Sequence, residues 1–330
     1  MISPILSLHP DQYQRHRLHT QSRDWAETNC YMDVWIELLH AWGFDPLAAM
    51  PFTLGIDFEG DQWTFFKLSL ADLHDLYGLE VQELAIWRPL VTHVDEQVRL
   101  GRPVLVELDS FYLPDTVGTA YQQIHQKSTV AVVAIDREQQ RLGYFHGQGY
   151  YELHGADFVQ VFRLNSFGDA ADEISPLILP PYAELVKRHP DRRPSDKELV
   201  HVSMELLRKQ LRRLPAINPL TAFQQRLEQD LGWLMSGSLE LFHQYSFATL
   251  RQFGACYELA ANYLLWLQDH TSERFETEIA SLRALSTGAK TFQFQLARSM
   301  ARKKPLNGGS LTELAGVWSD LTHRLKARFA

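Results

Sequence analysis

The sequence predicts an α+β protein: a helix and an antiparallel sheet in the N-terminal half, then an all-α helical bundle. Three observations carry that prediction. Apolar residues recur at helical spacing directly after Cys30. Short β-branched runs joined by turn residues fill residues 103–153. Beyond a proline-rich stretch, every long segment is helical in its periodicity.

The first helix spans 30–43. Val34, Trp35, Leu38, Leu39 and Trp42 share one face, and Gly43 and Pro46 close it. A second helix is expected over 69–77, with Ser69 and Asp72 as a capping box and Gly78 as its stop. Then the period changes. PVLVEL (103–108) is a compact strand, and TVAVVAI (129–135) is apolar throughout, as in a strand covered on both faces. DREQQR (136–141) is a polar hairpin connection. Residues 142–145 and 150–153 are short strands separated by HGQG.

Residues 170–194 contain Pro176, Pro180, Pro181, Pro190 and Pro194 and read as a connector. Ser195 and Glu198 form a second capping box. Helices are expected over 196–214, 219–267 with breaks, 272–303 and 310–328, the last two separated by Asn307, Gly308 and Gly309. The boundaries are then 1–169 for the α+β domain, 170–194 for the connector and 195–330 for the helical domain.

Composition narrows the function classes. The chain has 330 residues, 45% of them hydrophobic, and a net charge of -8. That charge excludes nucleic-acid binding by bulk electrostatics. Two cysteines, Cys30 and Cys256, are too few for a disulfide scaffold, and neither lies in a zinc-type spacing. The N-terminus lacks the basic region of a signal peptide, and no apolar run approaches about 18 residues. A cytoplasmic protein without membrane contact is expected. No metal site is expected: Asp57, Glu59 and Asp61 alternate in DFEGDQWTFFK, which reads as a hairpin turn with a polar face. Cys256 sits in an apolar helix and is expected in the core.

Cys30 is the chemical question. A thiol at a helix N-terminus feels the positive end of the helix dipole, which favours thiolate, and unpaired N–H groups there can hold an oxyanion. The alternative is a packed core thiol. A nucleophile needs a base, and two histidines flank the strand hairpin: His125 before the 129–135 strand and His146 at the end of the return strand. Asp109 could orient a histidine or cap the FYLP turn.

The order of helix cysteine, strand histidine and polar residue on the next strand resembles the papain-like cysteine superfamily. NCYMDVWIELLHAWGFDPLAAMPFTLGIDF, PVLVELDSFYLP and HQKSTVAVVAID followed by LGYFHG are similar to the cysteine helix, the Asp–Tyr–Pro segment and the hairpin of the butirosin biosynthesis protein H family. The likeness covers residues 25–165, and the nearest relatives are expected among bacterial proteins bearing only a domain-of-unknown-function label. In the family pattern the histidine leads straight into the strand, a slot nearer Ser128 here. The third position, usually Asp or Asn, is His146.

The resemblance implies acyl or aminoacyl transfer from the phosphopantetheine arm of a carrier protein to a small amine, through a thioester on Cys30. His125, displaced from the family's slot, is the expected base, or else His146 working from the opposite strand; His146 and Asp109 are candidates to orient or assist, and no bound cofactor is expected. Asn29, Tyr112, Tyr121, Lys127 and Gln148 are candidate substrate contacts. A basic run, with Arg192, Arg193, Arg208 and Arg212, could receive an acidic carrier protein or be a solvated helix face. The competing readings are a non-catalytic carrier-protein-binding scaffold and a thioesterase or amidase using water as acceptor.

Overall fold

The computed structural model describes residues 5–26, 29–65, 67–164, 180–189, 191–306 and 308–329. The chain divides into two compact units. The first contains residues 1–21, 29–46 and 73–193; the second contains 22–28, 47–72 and 194–330. The architecture is α+β, with an antiparallel sheet in the first unit and helices in the second.

In the first unit a short helix α1 (Arg17–Thr20) precedes α2 (Cys30–Ala41). Asn29 caps α2: its side chain accepts from the Met32 N–H at 2.8 Å. Of the apolar face read from sequence, Val34, Trp35, Leu38 and Leu39 are buried, and Trp42, the C-cap of α2, is partly buried. Helix α3 (Leu70–Tyr77) ends where its sequence predicts, with the Gly78 N–H donating to the His74 carbonyl at 2.9 Å. Gly78 has φ +65°, and a Cβ there would also run into the Arg192 side chain.

Six strands follow, interrupted by helices: β1 (Leu79–Glu83), α4 (Leu90–Arg99), β2 (Val104–Asp109), β3 (Lys127–Asp136), β4 (Arg141–His146), β5 (Gly149–His154), α5 (Ala156–Val161) and β6 (Ala183–Arg188). They form one antiparallel sheet in the order β1-β6-β2-β3-β4-β5. The three strands read from sequence as a run, β3 to β5, are joined by tight turns. β6 falls inside the stretch read as a connector. Its AELVKR pattern is short and flanked by prolines, which masked it, yet it pairs with both β1 and β2. Residues 165–179, Pro176 among them, and Pro190 lie outside the described residues.

One sheet face packs Val104, Val106, Val130, Val132 and Tyr144 against Val91, Val94 and Val98 of α4 and Phe158 and Val161 of α5. The α2 side carries a buried polar cluster. His19 sits between Glu37, bonded to its Nδ1, and Asp33, 3.3 Å from its Nε2. The Tyr13 hydroxyl donates to the Glu37 carboxylate at 2.5 Å, and the His16 backbone N–H donates to it at 3.1 Å. Glu37 is wholly buried. Such a charge survives burial only because every partner is a donor.

The second unit is built from α6 (Asp196–Arg212), α7 (Pro219–Ser236), α8 (Leu239–Ser246), a π-helical turn (Phe247–Arg251), α9 (Gln252–His270), α10 (Glu276–Arg302) and α11 (Gly309–Phe329). Ser195 and Glu198 make the predicted capping box at the start of α6. The break expected between 219 and 267 comes at Gly237, and α10 ends at Lys303 in a left-handed conformation. Asn307 lies outside the described residues.

Residues 47–72, read from sequence as part of the N-terminal domain, group with this helical unit. The reason is aromatic: Trp63 stacks on Phe253 at 4.8 Å, and Phe58 meets Phe223 edge-on at 5.5 Å. The Phe58–Trp63 bridge is the hairpin expected of DFEGDQW. Trp25 is likewise anchored here, its indole N–H donating to Ser286 Oγ at 3.1 Å. Cys256 is fully buried, and burial pushes its thiol pKa well up. Among the described residues no helix is long and apolar enough to cross a membrane.

Candidate active site

The alternation of side chains along a strand decides this site. β2 and β3 pair Glu107 with Thr129, Leu108 with Ser128 and Asp109 with Lys127, and β3 and β4 pair Val130 with His146. Ser128, Val130, Leu108 and His146 therefore share one face. Thr129, Lys127, Glu107 and Asp109 share the other, which is the face that receives α2.

Cys30 lies in the first turn of α2, half-buried. Its thiol is 3.5 Å from Thr129 Oγ1. A hydroxyl there cannot take up a proton as an imidazole would. Further along the same face, Lys127 Nζ meets Glu107 Oε1 at 2.5 Å, and His125 Nδ1 meets Asp109 Oδ2 at 2.7 Å. His125 is 65% exposed, its ring stacked on Phe111 at 4.2 Å. Asp109 also caps the following turn, accepting from the Phe111 N–H at 3.0 Å.

His146 belongs to the opposite face and so does not meet Cys30. It is held between two groups. Its Nε2 lies 2.7 Å from Ser128 Oγ, and its Nδ1 lies 2.5 Å from Asp115 Oδ2. The second Asp115 oxygen accepts from the Tyr144 hydroxyl at 2.5 Å. Burial, and then the neighbouring Asp115 charge, raise the Tyr144 pKa far above its ordinary value, so Tyr144 stays a donor. With the Asp115 carboxylate accepting from Nδ1–H, the Nε2 of a neutral ring presents its lone pair to the Ser128 hydroxyl. Hydroxyl, imidazole and carboxylate thus stand in the order used to activate a serine. The His146 and Asp115 side chains are 12% and 5% exposed.

The family's histidine slot lies nearer Ser128, and the sequence pattern offers no acid for His146. Asp115 was missed because it lies in a 3-10 turn, Pro114–Thr116, 31 residues before His146 in sequence. Only the closing of that turn over β4 brings the two together. The one available signal was the PD pair opening a turn.

The other candidates are scattered. Tyr112 meets His125 edge-on at 6.0 Å. Tyr121 donates to Asp157 Oδ2 at 2.9 Å, a role in local structure. Gln148 lies in the β4–β5 turn. Arg192 and Arg193 fall in the first unit, Arg208 and Arg212 in the second. Arg208 is engaged with Glu205 at 2.6 Å, one turn away on α6. Among the described residues no cluster of three or more His, Cys, Asp or Glu side chains is arranged to hold a metal ion.

Residues 14–188 match the family model of the DUF1839 N-terminal domain, and residues 196–327 match that of the DUF1839 C-terminal domain. No curated protein matches the chain.

Proposed function

The chain belongs to the DUF1839 family, an uncharacterised one, and on that premise we propose that its N-terminal domain hydrolyses or transfers acyl groups, with Ser128 as nucleophile. The observation that carries this reading is His146, with Ser128 on its Nε2 and Asp115 on its Nδ1. In the reaction, Ser128 Oγ bonds to the carbonyl carbon of an ester or thioester while its proton passes to His146 Nε2. The tetrahedral intermediate collapses, the bond to the alcohol or thiol breaks, and that leaving group takes the proton from Nε2. Water or an amine then attacks the acyl-serine, its proton taken by Nε2 and returned to Ser128. Asp115 holds the ring in the tautomer this requires and offsets the charge that forms on it.

A second reading keeps the papain-like frame, with Cys30 as nucleophile for a carrier-protein phosphopantetheine thioester and an amine acceptor. The position of the partly buried Cys30 at the first turn of α2 favours it, as does the His125–Asp109 pair on the same sheet face. Against it stands Thr129 in the position nearest the sulfur. A non-catalytic binding module is the third outcome.

The test is intact-protein mass after exposure to a fluorophosphonate and, separately, to acetyl- and aminoacyl-pantetheine thioesters. Wild type, Ser128→Ala and Cys30→Ser are compared. An adduct lost in Ser128→Ala supports the serine reading. One lost only in Cys30→Ser supports the thioester reading. Absence of any adduct on wild type overturns both.

A further inference from the structure

We propose that a pocket in the first unit binds a small monocarboxylate with an apolar body. Its wall is formed by Ile86, Leu90, Leu108, Tyr112, Val161 and Phe162, and it encloses about 630 Å³ of empty space including its open mouth. The cavity proper is about 70 Å³ and the remainder is the open mouth. Arg88 and Arg163 are among the residues that line the same pocket.

The charges do not cancel inside the wall. Glu107 and Asp109 also line it, but Glu107 is paired with Lys127 and Asp109 with His125. Among the described residues no carboxylate is paired with Arg88, and its Nε is buried without a hydrogen bond. Its guanidinium lies over the ring of Trp87 at 4.8 Å, and Trp87 is 70% exposed. An unpaired buried N–H is costly, and a carboxylate is an acceptor that fits a guanidinium well. The positive field reaches further. His93, which packs edge-on against Trp87 at 5.9 Å, has its pKa lowered by burial and then by the Arg88 charge.

The wall also selects the class of anion. Glu107 and Asp109, though paired, keep the net positive charge of the wall small, so a dianionic phosphate is disfavoured relative to a singly charged carboxylate. The apolar wall disfavours a short polar acid for want of area to bury. Leu108, on the pocket wall, stands directly across from Ser128 in the β2–β3 pairing and on its face of the sheet. Binding does not depend on the serine relay being catalytic.

The test uses the full chain and measures binding of octanoate, octanamide and octyl phosphate by titration calorimetry. Wild type, Arg88→Met, Leu90→Trp and Ser128→Ala are compared, with circular dichroism melts as the control for folding. Octanoate is expected to bind wild type and Ser128→Ala alike. Binding should weaken at least tenfold in Arg88→Met and be blocked by the indole in Leu90→Trp, while octanamide binds at least tenfold more weakly than octanoate. The proposal is overturned if octanoate does not bind, if Arg88→Met or Leu90→Trp leaves its affinity unchanged, or if octyl phosphate binds more tightly. Failure of Ser128 to label with fluorophosphonate sinks the serine reading and leaves this site standing.

Discussion

Ser128 and Thr129 are consecutive residues of β3 whose hydroxyls serve opposite faces of one sheet: Ser128 meets His146 at 2.7 Å, Thr129 meets Cys30 at 3.5 Å. Two nucleophile candidates, a thiol and a hydroxyl, are thereby kept apart by the thickness of a strand. The imidazole that could activate one is denied to the other.

From this follows the behaviour of Asp115→Asn. The amide can donate to His146 Nδ1 and so favours the tautomer with its proton on Nε2, which no longer accepts from Ser128. Fluorophosphonate labelling of Ser128 should slow about 100-fold or more, the usual loss when a general base is disabled. An unchanged labelling rate would remove Asp115 from the mechanism.

The two thiols should separate cleanly. Iodoacetamide is expected to add once per folded chain, at Cys30, because Cys256 is fully buried with its pKa raised by burial. Peptide mapping locates the label. Two labels under native conditions, or one on Cys256, would contradict this packing.

The buried cluster beside α2 gives a pH dependence with two signs. Burial alone would lower the His19 pKa, but hydrogen bonds to Asp33 and Glu37 outweigh it and the pKa is raised above 6.5. A raised histidine stabilises fully below its unfolded pKa and loses that contribution as pH rises through the folded value. His16 behaves oppositely. Burial, then the charges of His40, Arg17 and His19, push its pKa down to about 3, so its contribution is lost as pH falls below about 6.5. In urea titrations, His19→Gln should lose more stability relative to wild type at pH 5 than at pH 9. His16→Gln should lose less at pH 5 than at pH 7. Differences that do not vary with pH would show that neither histidine is coupled to folding.

Gly254→Ala tests the second unit. A Cβ at Gly254 would overlap the Trp25 indole, which is held by its bond to Ser286 and by Lys290 over its ring at 4.3 Å. Overpacking of this kind costs about 1–3 kcal/mol, read as a lowered urea midpoint. Adding Trp25→Phe should restore part of the loss, since the smaller ring leaves room. No loss in the single variant would mean the indole can move aside.

Local chemistry alone determined much of this molecule. The apolar stripe of α2, the stop at Gly78, the capping box of Ser195 and Glu198, the β3–β5 strands and the burial of Cys256 each depend on residues close in sequence, so the chain spells them out. β6 was hidden because six residues between prolines carry too little period to outweigh the prolines; its pairing with β1 and β2 makes it a strand. The tertiary structure also decided the site. Cys30, His125 and His146 were all visible as candidates, but which of them meet depends on strand parity. One step along β3 sends a side chain through the sheet, and no local signal gives the register that sets Val130 against His146. Asp115 joins His146 only through a turn closed by long-range packing, so the acid of the relay was not legible until the sheet was assembled.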